Sequence, residues 1–243
     1  MHARHRTSFP IMGTTASLHV NDEISHDEFE DVAAFAEQEL QRLEAMFSVF
    51  RETSEISQIN AGVLHHLDAS AEVIEVLDYC VQLEQLSHGA FSIRRSRNDA
   101  AINPSGFVKG WAGERVTNQL RDRGLGHFYV GIGGDFACVG GLTDETPWRI
   151  GITDPYDPTQ FVGTVEVRDG AVATSGITER GHHIWDPRSG ETTAPYSSVT
   201  VAGPHLMWAD AYATSIFVMG ESGLEWVKQF PDYSAMAVPL RVA

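Results

Sequence analysis

Phe128-Tyr129-Val130-Gly131-Ile132-Gly133-Gly134-Asp135-Phe136-Ala137-Cys138-Val139 is the most informative run in this 243-residue chain for its architecture. Two short apolar segments, Tyr129–Ile132 and Phe136–Val139, flank a glycine pair. Glycines between two strands supply the positive φ angles of a tight hairpin, so Gly133-Gly134-Asp135 reads first as a turn. The glycine spacing also invites a dinucleotide-binding reading. That fingerprint is incomplete here, and a strand rather than a helix follows it, which argues against a Rossmann unit.

The same texture continues downstream. Trp148–Ile152, Val162–Val167, Ala171–Thr174, His183–Trp185 and Ser198–Val201 read as short strands, and Ala235–Val238 as a last one. Upstream, Thr14, Ala16, Leu18 and Val20 alternate as a first strand. Phe29, Val32, Ala36, Leu40, Leu43 and Phe47 then step by threes and fours, as one face of a long amphipathic helix does. A polar stretch, Arg51 to Asn60, follows. Ser70 is placed to cap a second helix that carries Val73 to Leu86 and stops at Gly89. Lys109–Arg123 reads as a third helix ended by Gly124, Met207–Met219 as a fourth, and Gly223–Phe230 as a short fifth. Helices first, strands next and a helix near the end predict an α+β fold with a mixed or antiparallel sheet, in one domain over residues 1–243.

Bulk properties narrow the function. A formal net charge of −16 repels phosphate backbones and anionic bilayers, so neither nucleic-acid binding nor membrane insertion is expected. An anionic substrate would need local neutralisation, for which a divalent cation is suited. Cys80 and Cys138, the only cysteines, sit in apolar patterns and read as buried thiols. Met1 to Phe9 lacks the apolar core of a signal peptide, and the expected location is cytoplasmic.

Four segments have chemical potential. In Ala209-Asp210-Ala211-Tyr212-Ala213-Thr214, Asp210 and Thr214 share one helix face among small alanines. A carboxylate and a hydroxyl form a hard oxygen set that suits Mg²⁺. Alternatively, Asp210 near a helix start complements the dipole. Asn103-Pro104-Ser105-Gly106-Phe107-Val108-Lys109-Gly110 enters a helix, with Ser105 as the expected cap. Lys109 opposes the dipole there, which points to an anionic partner. Gly133-Gly134-Asp135 is the third segment. The fourth runs from Ala173-Thr174-Ser175-Gly176 to His182-His183-Ile184-Trp185-Asp186-Pro187-Arg188-Ser189-Gly190. Neighbouring histidines in a strand face opposite ways and do not readily share an ion. Ser175 with a histidine lacks the nucleophile elbow of a hydrolase.

Taken in order, these segments resemble the ApbE family of FAD:protein FMN transferases. Met12-Gly13-Thr14, Phe47-Ser48-Val49-Phe50-Arg51, Ser54-Glu55-Ile56, Asn60 and Gly89-Ala90-Phe91 add to the likeness, which runs from about Met12 to Gly220. The resemblance implies a T-fold-like α+β domain that uses FAD and Mg²⁺ and passes FMN to a Thr or Ser hydroxyl of an acceptor flavoprotein, releasing AMP. It implies Asp210, Thr214 and the Gly106 carbonyl as Mg²⁺ ligands. Met12, Phe50, Ala90, Phe91, Ser92, Asn103, Lys109 and Ile184 would line the FAD site. His183 and Asp210 would be the catalytic pair. The chain departs from the family pattern at Asn103, usually Asp, at Ser92-Ile93, commonly Asp-Pro, and at Ala213, where many relatives carry a further Asp. FAD hydrolysis to FMN and AMP, or FAD binding without chemistry, are the alternative expectations.

Overall fold

The computed structural model describes residues 5–96, 98–177 and 184–241. The first described elements are β1 (His5–Ile11) and β2 (Thr14–Val20), paired across the two-residue turn Met12-Gly13. Both turn residues have positive φ, 50° and 69°, as a right-handed-twisted hairpin requires. α1 (His26–Phe47) follows, started by a capping box in which Ser25 accepts from the Glu28 N–H while Glu28 accepts from the Ser25 N–H. Next come α2 (Glu55–Asn60), α3 (Ala71–Leu86) and α4 (Ser105–Asp122).

β3 (Phe128–Ile132) and β4 (Asp135–Val139) form the hairpin expected around Gly133-Gly134, whose φ values of 58° and 90° suit only glycine readily. β5 (Trp148–Asp154) and β6 (Asp157–Val167) pair as a separate ribbon. β7 (Gly170–Gly176), the short pair β8 (Trp185–Asp186) and β9 (Glu191–Thr192), and β10 (Tyr196–Gly203) follow. α5 (Leu206–Met219), α6 (Glu221–Trp226) and β11 (Ser234–Pro239) complete the order.

Among the described residues, seven strands make the main sheet in the order β1-β2-β3-β4-β7-β10-β11, and every pairing in it is antiparallel. Strand alternation decides what each face sees. Phe128, Val130, Ile132, Ala137, Val139, Ala171, Ala173, Val199 and Val201 point into one core shared with α1, α3, α4 and α5. On the opposite face Cys138 and Val172 join Trp148, Ile150 and Val167 of the β5–β6 ribbon in a smaller core. The predicted α+β architecture is therefore present, with all helices of the main core on one side.

Several local expectations are corrected. The N-terminal segment forms an edge strand, in which Pro10 is tolerated because no outer neighbour needs its missing N–H. Residues 55–60 are helical, with the Ser54 hydroxyl accepting from the Ser57 N–H. α4 begins four residues before Lys109, and Ser105 is its first residue rather than its cap. The Asn103 side chain accepts from the Ser105 N–H at 3.1 Å instead. Of the predicted strand His183–Trp185, Trp185 opens β8 and Ile184 precedes it outside the strand, while His183 lies outside the described residues.

Candidate active site

α5 is buried on nearly all sides, with Ala209, Ala211, Ala213, Ile216 and Phe217 in the core. Its near neighbour is α4, whose glycines remove the side chains that would hold the two helices apart. A Cβ on Gly110 would stand 2.9 Å from the Asp210 Cβ and 2.9 Å from the Leu206 carbonyl oxygen. The register is set at the entrance to α5. Glu114 of α4 accepts from the Met207 N–H at 3.1 Å and contacts His205 Nδ1 at 2.7 Å, serving a helix start that has no side-chain cap of its own.

Asp210 is thereby carried into the interior, 3% exposed. Its Oδ2 accepts from the Gly110 N–H at 3.1 Å. In a regular helix that N–H serves the carbonyl four residues back, which is Gly106. Asp210 thus meets α4 at Gly110, four residues after Gly106. Gly106 itself is exposed in the first turn of α4, with Phe91 beneath it. One turn after Asp210, the Thr214 hydroxyl meets the Ser175 hydroxyl at 2.9 Å. Ser175 arrives because β7 alternates Ala171, Ala173 and Ser175 toward the helices.

Lys109 projects to the same place. Its ammonium is ion-paired with Asp135 Oδ2 and stands 3.4 Å from Asp210 Oδ2. Asp135, the first residue after the glycine turn, is fully buried. Its Oδ1 accepts from the Thr174 N–H at 2.8 Å. The anionic partner that Lys109 called for is thus partly internal. Asp135 and Ser175 were not among the sequence-predicted site residues. The available signal was that Asp135 lies in phase with inward-facing Ala137 and Val139, where a carboxylate needs a partner.

The other predicted residues are distributed around this cluster. Met12 sits in the β1–β2 turn and donates its N–H to Glu44 Oε1 at 2.9 Å. That turn borders the β3–β4 turn, where the Gly133 N–H reaches the Thr15 carbonyl at 3.0 Å. Phe50, beyond the end of α1, is 93% exposed, a large aromatic face open to a planar ligand. Ala90 and Phe91 are buried in the core. Ser92 donates to Glu84 and lies in an open groove of about 630 Å³ with Val81, Gln85, His88, Arg94 and Pro187. The Asn103 N–H donates to the Ile93 carbonyl at 2.6 Å, tying the loop before α4 to the segment after Phe91. Asn60 holds that loop from the other side, bonding both the N–H and the carbonyl of Ile102. Ile184 is buried, and its carbonyl accepts from the Thr193 N–H. His183 lies outside the described residues.

Lys109, Asp135 and Asp210 are therefore brought together, Thr214 follows one turn along α5 against Ser175, and Gly106 lies one turn before Gly110 on α4. No group of three or more His, Cys, Asp or Glu side chains suited to a metal occurs among the described residues. An ion at this place would depend on hydroxyl and carbonyl oxygens beside a carboxylate. The set is hard, mixed in charge and built around a buried acid, which fits Mg²⁺ rather than a softer metal.

Comparison with known proteins locates this arrangement among others. A sequence model described as the ApbE family matches residues 12–94 and 92–237. An FAD:protein FMN transferase of Vibrio cholerae is 32% identical over 149 residues, which is 57% of this chain and 45% of that protein. One of Treponema pallidum is 30% identical over 151 residues, 54% of this chain and 42% of that protein. The chain thus spans less than half the length of these curated relatives. The solved structure of the flavin transferase ApbE from Vibrio cholerae superposes with a TM-score of 0.79 at 22% identity, over 97% of this chain and 98% of that one. The ApbE protein from Thermotoga maritima gives 0.83 at 23% identity, over 98% and 94%. These two share the fold.

Proposed function

Since the chain belongs to the ApbE family, we propose that its 243 residues act as one Mg²⁺-dependent FAD:protein FMN transferase domain. The observation that carries this reading is that buried Asp210 meets the Gly110 N–H and stands beside the Lys109 ammonium, with Thr214 one turn further along the same helix. In the reaction, a Thr or Ser hydroxyl oxygen of the acceptor protein attacks the phosphorus of the FMN half of FAD. A new phosphoester forms, the pyrophosphate bond breaks, and AMP leaves with the bridging oxygen.

Phosphoryl transfer asks mainly for positioning and neutralisation of charge. Asp210, Thr214 and the Gly106 carbonyl would hold Mg²⁺, which when bound supplies Lewis-acid stabilisation of phosphate oxygens. The Ser175 hydroxyl fixes the position of the Thr214 hydroxyl by a 2.9 Å bond. Lys109 adds a second positive charge at its edge. Phe50 offers its open ring to a flavin or adenine plane, and Met12, Ser92, Asn103 and Ile184 would help hold FAD. The burial of Ala90 and Phe91 gives the Gly106 turn a rigid floor. His183 completes the reading as the residue that orients the reacting groups, and Asp210 receives the proton of the acceptor hydroxyl. Among the described residues no helix is long and apolar enough to cross a membrane.

The test is incubation with FAD and Mg²⁺, with and without an acceptor domain carrying a modifiable Thr or Ser. AMP release together with covalently bound flavin fluorescence is expected, and Asp210→Ala should abolish both while leaving the circular dichroism spectrum unchanged. AMP without bound flavin would make the protein an FAD pyrophosphatase. No AMP under any condition would leave FAD binding alone, and equal turnover in Asp210→Ala would remove Asp210 from the metal.

A further inference from the structure

We infer that Asp135 is a positioning residue that draws the Lys109 ammonium away from Asp210, leaving Asp210 competent to take a divalent cation. The inference rests on the metal reading of Asp210 proposed above. Asp135 has no exposure and no direct path to substrate through its own surface. One oxygen is anchored by the Thr174 N–H, so the other is aimed, not loosely placed. That second oxygen holds Lys109 in close ion pairing, while Asp210 Oδ2 stands farther off at 3.4 Å.

The three charges form a shared system. Among the described residues both carboxylates face the same ammonium, so the ammonium is contested. A divalent cation at Asp210 repels Lys109, and Asp135 is the group that receives it. Without the Asp135 charge, Lys109 has one carboxylate left, and that carboxylate is the proposed metal ligand. The ammonium then acts as an internal competitor. In a buried setting each such charge is strongly felt, because water does not screen it.

A cycle of Asp135→Asn, Lys109→Met and the double variant tests this, with Mg²⁺ and Mn²⁺ titrated by calorimetry in the absence of FAD. Asn keeps an oxygen for the Thr174 N–H, and circular dichroism checks folding. Asp135→Asn is expected to weaken cation binding about tenfold, and adding Lys109→Met should restore it. The effect of Lys109→Met should be about fivefold or more greater in the Asp135→Asn background than in the parent, the coupling expected of groups in direct contact. Unchanged affinity in Asp135→Asn, or independent effects that simply multiply, would overturn the inference and leave only long-range charge. If Asp135→Asn does not fold, a crystal structure of the parent soaked in Mn²⁺ decides. Lys109 should then lie on Asp135 and be displaced from Asp210, and an ammonium still at its present distance from Asp210 refutes the idea. Parent binding that Asp210→Ala abolishes, without coupling to Asp135, defeats this inference alone. Absence of any Asp210-dependent binding defeats the metal reading and this inference with it.

Discussion

Gly110→Ala is the substitution that most directly probes how α4 delivers Asp210. In an exposed helix interior, glycine to alanine is a gain of about 1 kcal/mol, from propensity alone. Here the added methyl would stand 2.9 Å from the Asp210 Cβ, 2.9 Å from the Leu206 carbonyl oxygen and 3.0 Å from the Met207 Cα. Two of these three are backbone atoms of α5, which no rotamer change can move. Relieving the overlap requires α4 and α5 to separate by several tenths of an ångström, and overpacking of this kind costs about 1–3 kcal/mol. Separation also stretches the Gly110 N–H to Asp210 bond, 3.1 Å in the parent, and a hydrogen bond to a charged group contributes about 1.5–3 kcal/mol. Set against the propensity gain, the net loss is about 1.5–5 kcal/mol, or on the order of 10 °C in Tm for a chain of this size.

The control sits on the same helix. Gly113→Ala would place its methyl 2.9 Å from Leu206 Cδ2 and 3.4 Å from Ile132 Cδ1, both ends of flexible side chains. Its cost should stay below about 1 kcal/mol, because a rotamer shift relieves it. Urea unfolding of both variants measures the difference, in which the helix-propensity contribution cancels. A Gly110→Ala protein as stable as Gly113→Ala, or more stable than the parent, would refute the claim that close backbone approach between α4 and α5 supports the site.

Other consequences are more local. Asn60→Ala removes both side-chain bonds to Ile102 and should cost about 2 kcal/mol, with faster hydrogen exchange at the Ile102 amide as the direct readout. The hydrogen bond from Arg42 holds the Glu39 carboxyl down at about 2, against an ordinary value of 4.5. Because the folded value is the lower one, the stabilisation is complete above pH about 4.5 and is lost as pH falls toward 2. Glu39→Gln should therefore narrow its stability gap from the parent across that window in acid-denaturation curves. Burial pushes the Cys138 thiol up to about 12 and raises Cys80 as well, so a thiol reagent at neutral pH should modify neither faster than the protein unfolds.

Much of the fold was legible because its signals are local. Thr14 to Val20 alternates cleanly and forms β2 over those same residues. Ser70 caps α3, with its hydroxyl accepting from the Val73 N–H, as its place before an apolar period implied. Elements with little local signal escaped. α2 has six residues and buries only Ile56, too few to show a period. β1 holds Phe9 and Ile11 inward, but Pro10 between them argues against a strand until the strand is known to be an edge. The start of α4 was obscured because Pro104 and Gly106 look like loop residues, whereas the Asn103 side chain supports the first turn from outside the helix.

The candidate site divides along the same line. Asp210 and Thr214 are one helical turn apart, so their common face is a property of sequence spacing. Asp135 and Ser175 join them only through strand pairing, with β4 against β7, and through α4 crossing above. No spacing rule relates residue 135 to residue 109 or residue 175 to residue 214.

This missed half changes the electrostatic argument for a metal. With Lys109 alone, a chain of formal charge −16 would still offer a pyrophosphate one local cation. Among the described residues Asp135 and Asp210 outweigh that cation where two phosphates are proposed to lie. Such a site attracts a divalent ion and repels an unaccompanied dinucleotide. The same acidity that disfavours FAD in isolation favours the Mg²⁺ through which FAD is proposed to bind. Ala213 is fully buried in this protein, and Asp135 supplies a second acid from the sheet side of the site. The acidic count of the site is thus not read from α5 alone. It depends on a hairpin whose glycines were the first sign that a sheet, and not a Rossmann crossover, was being built.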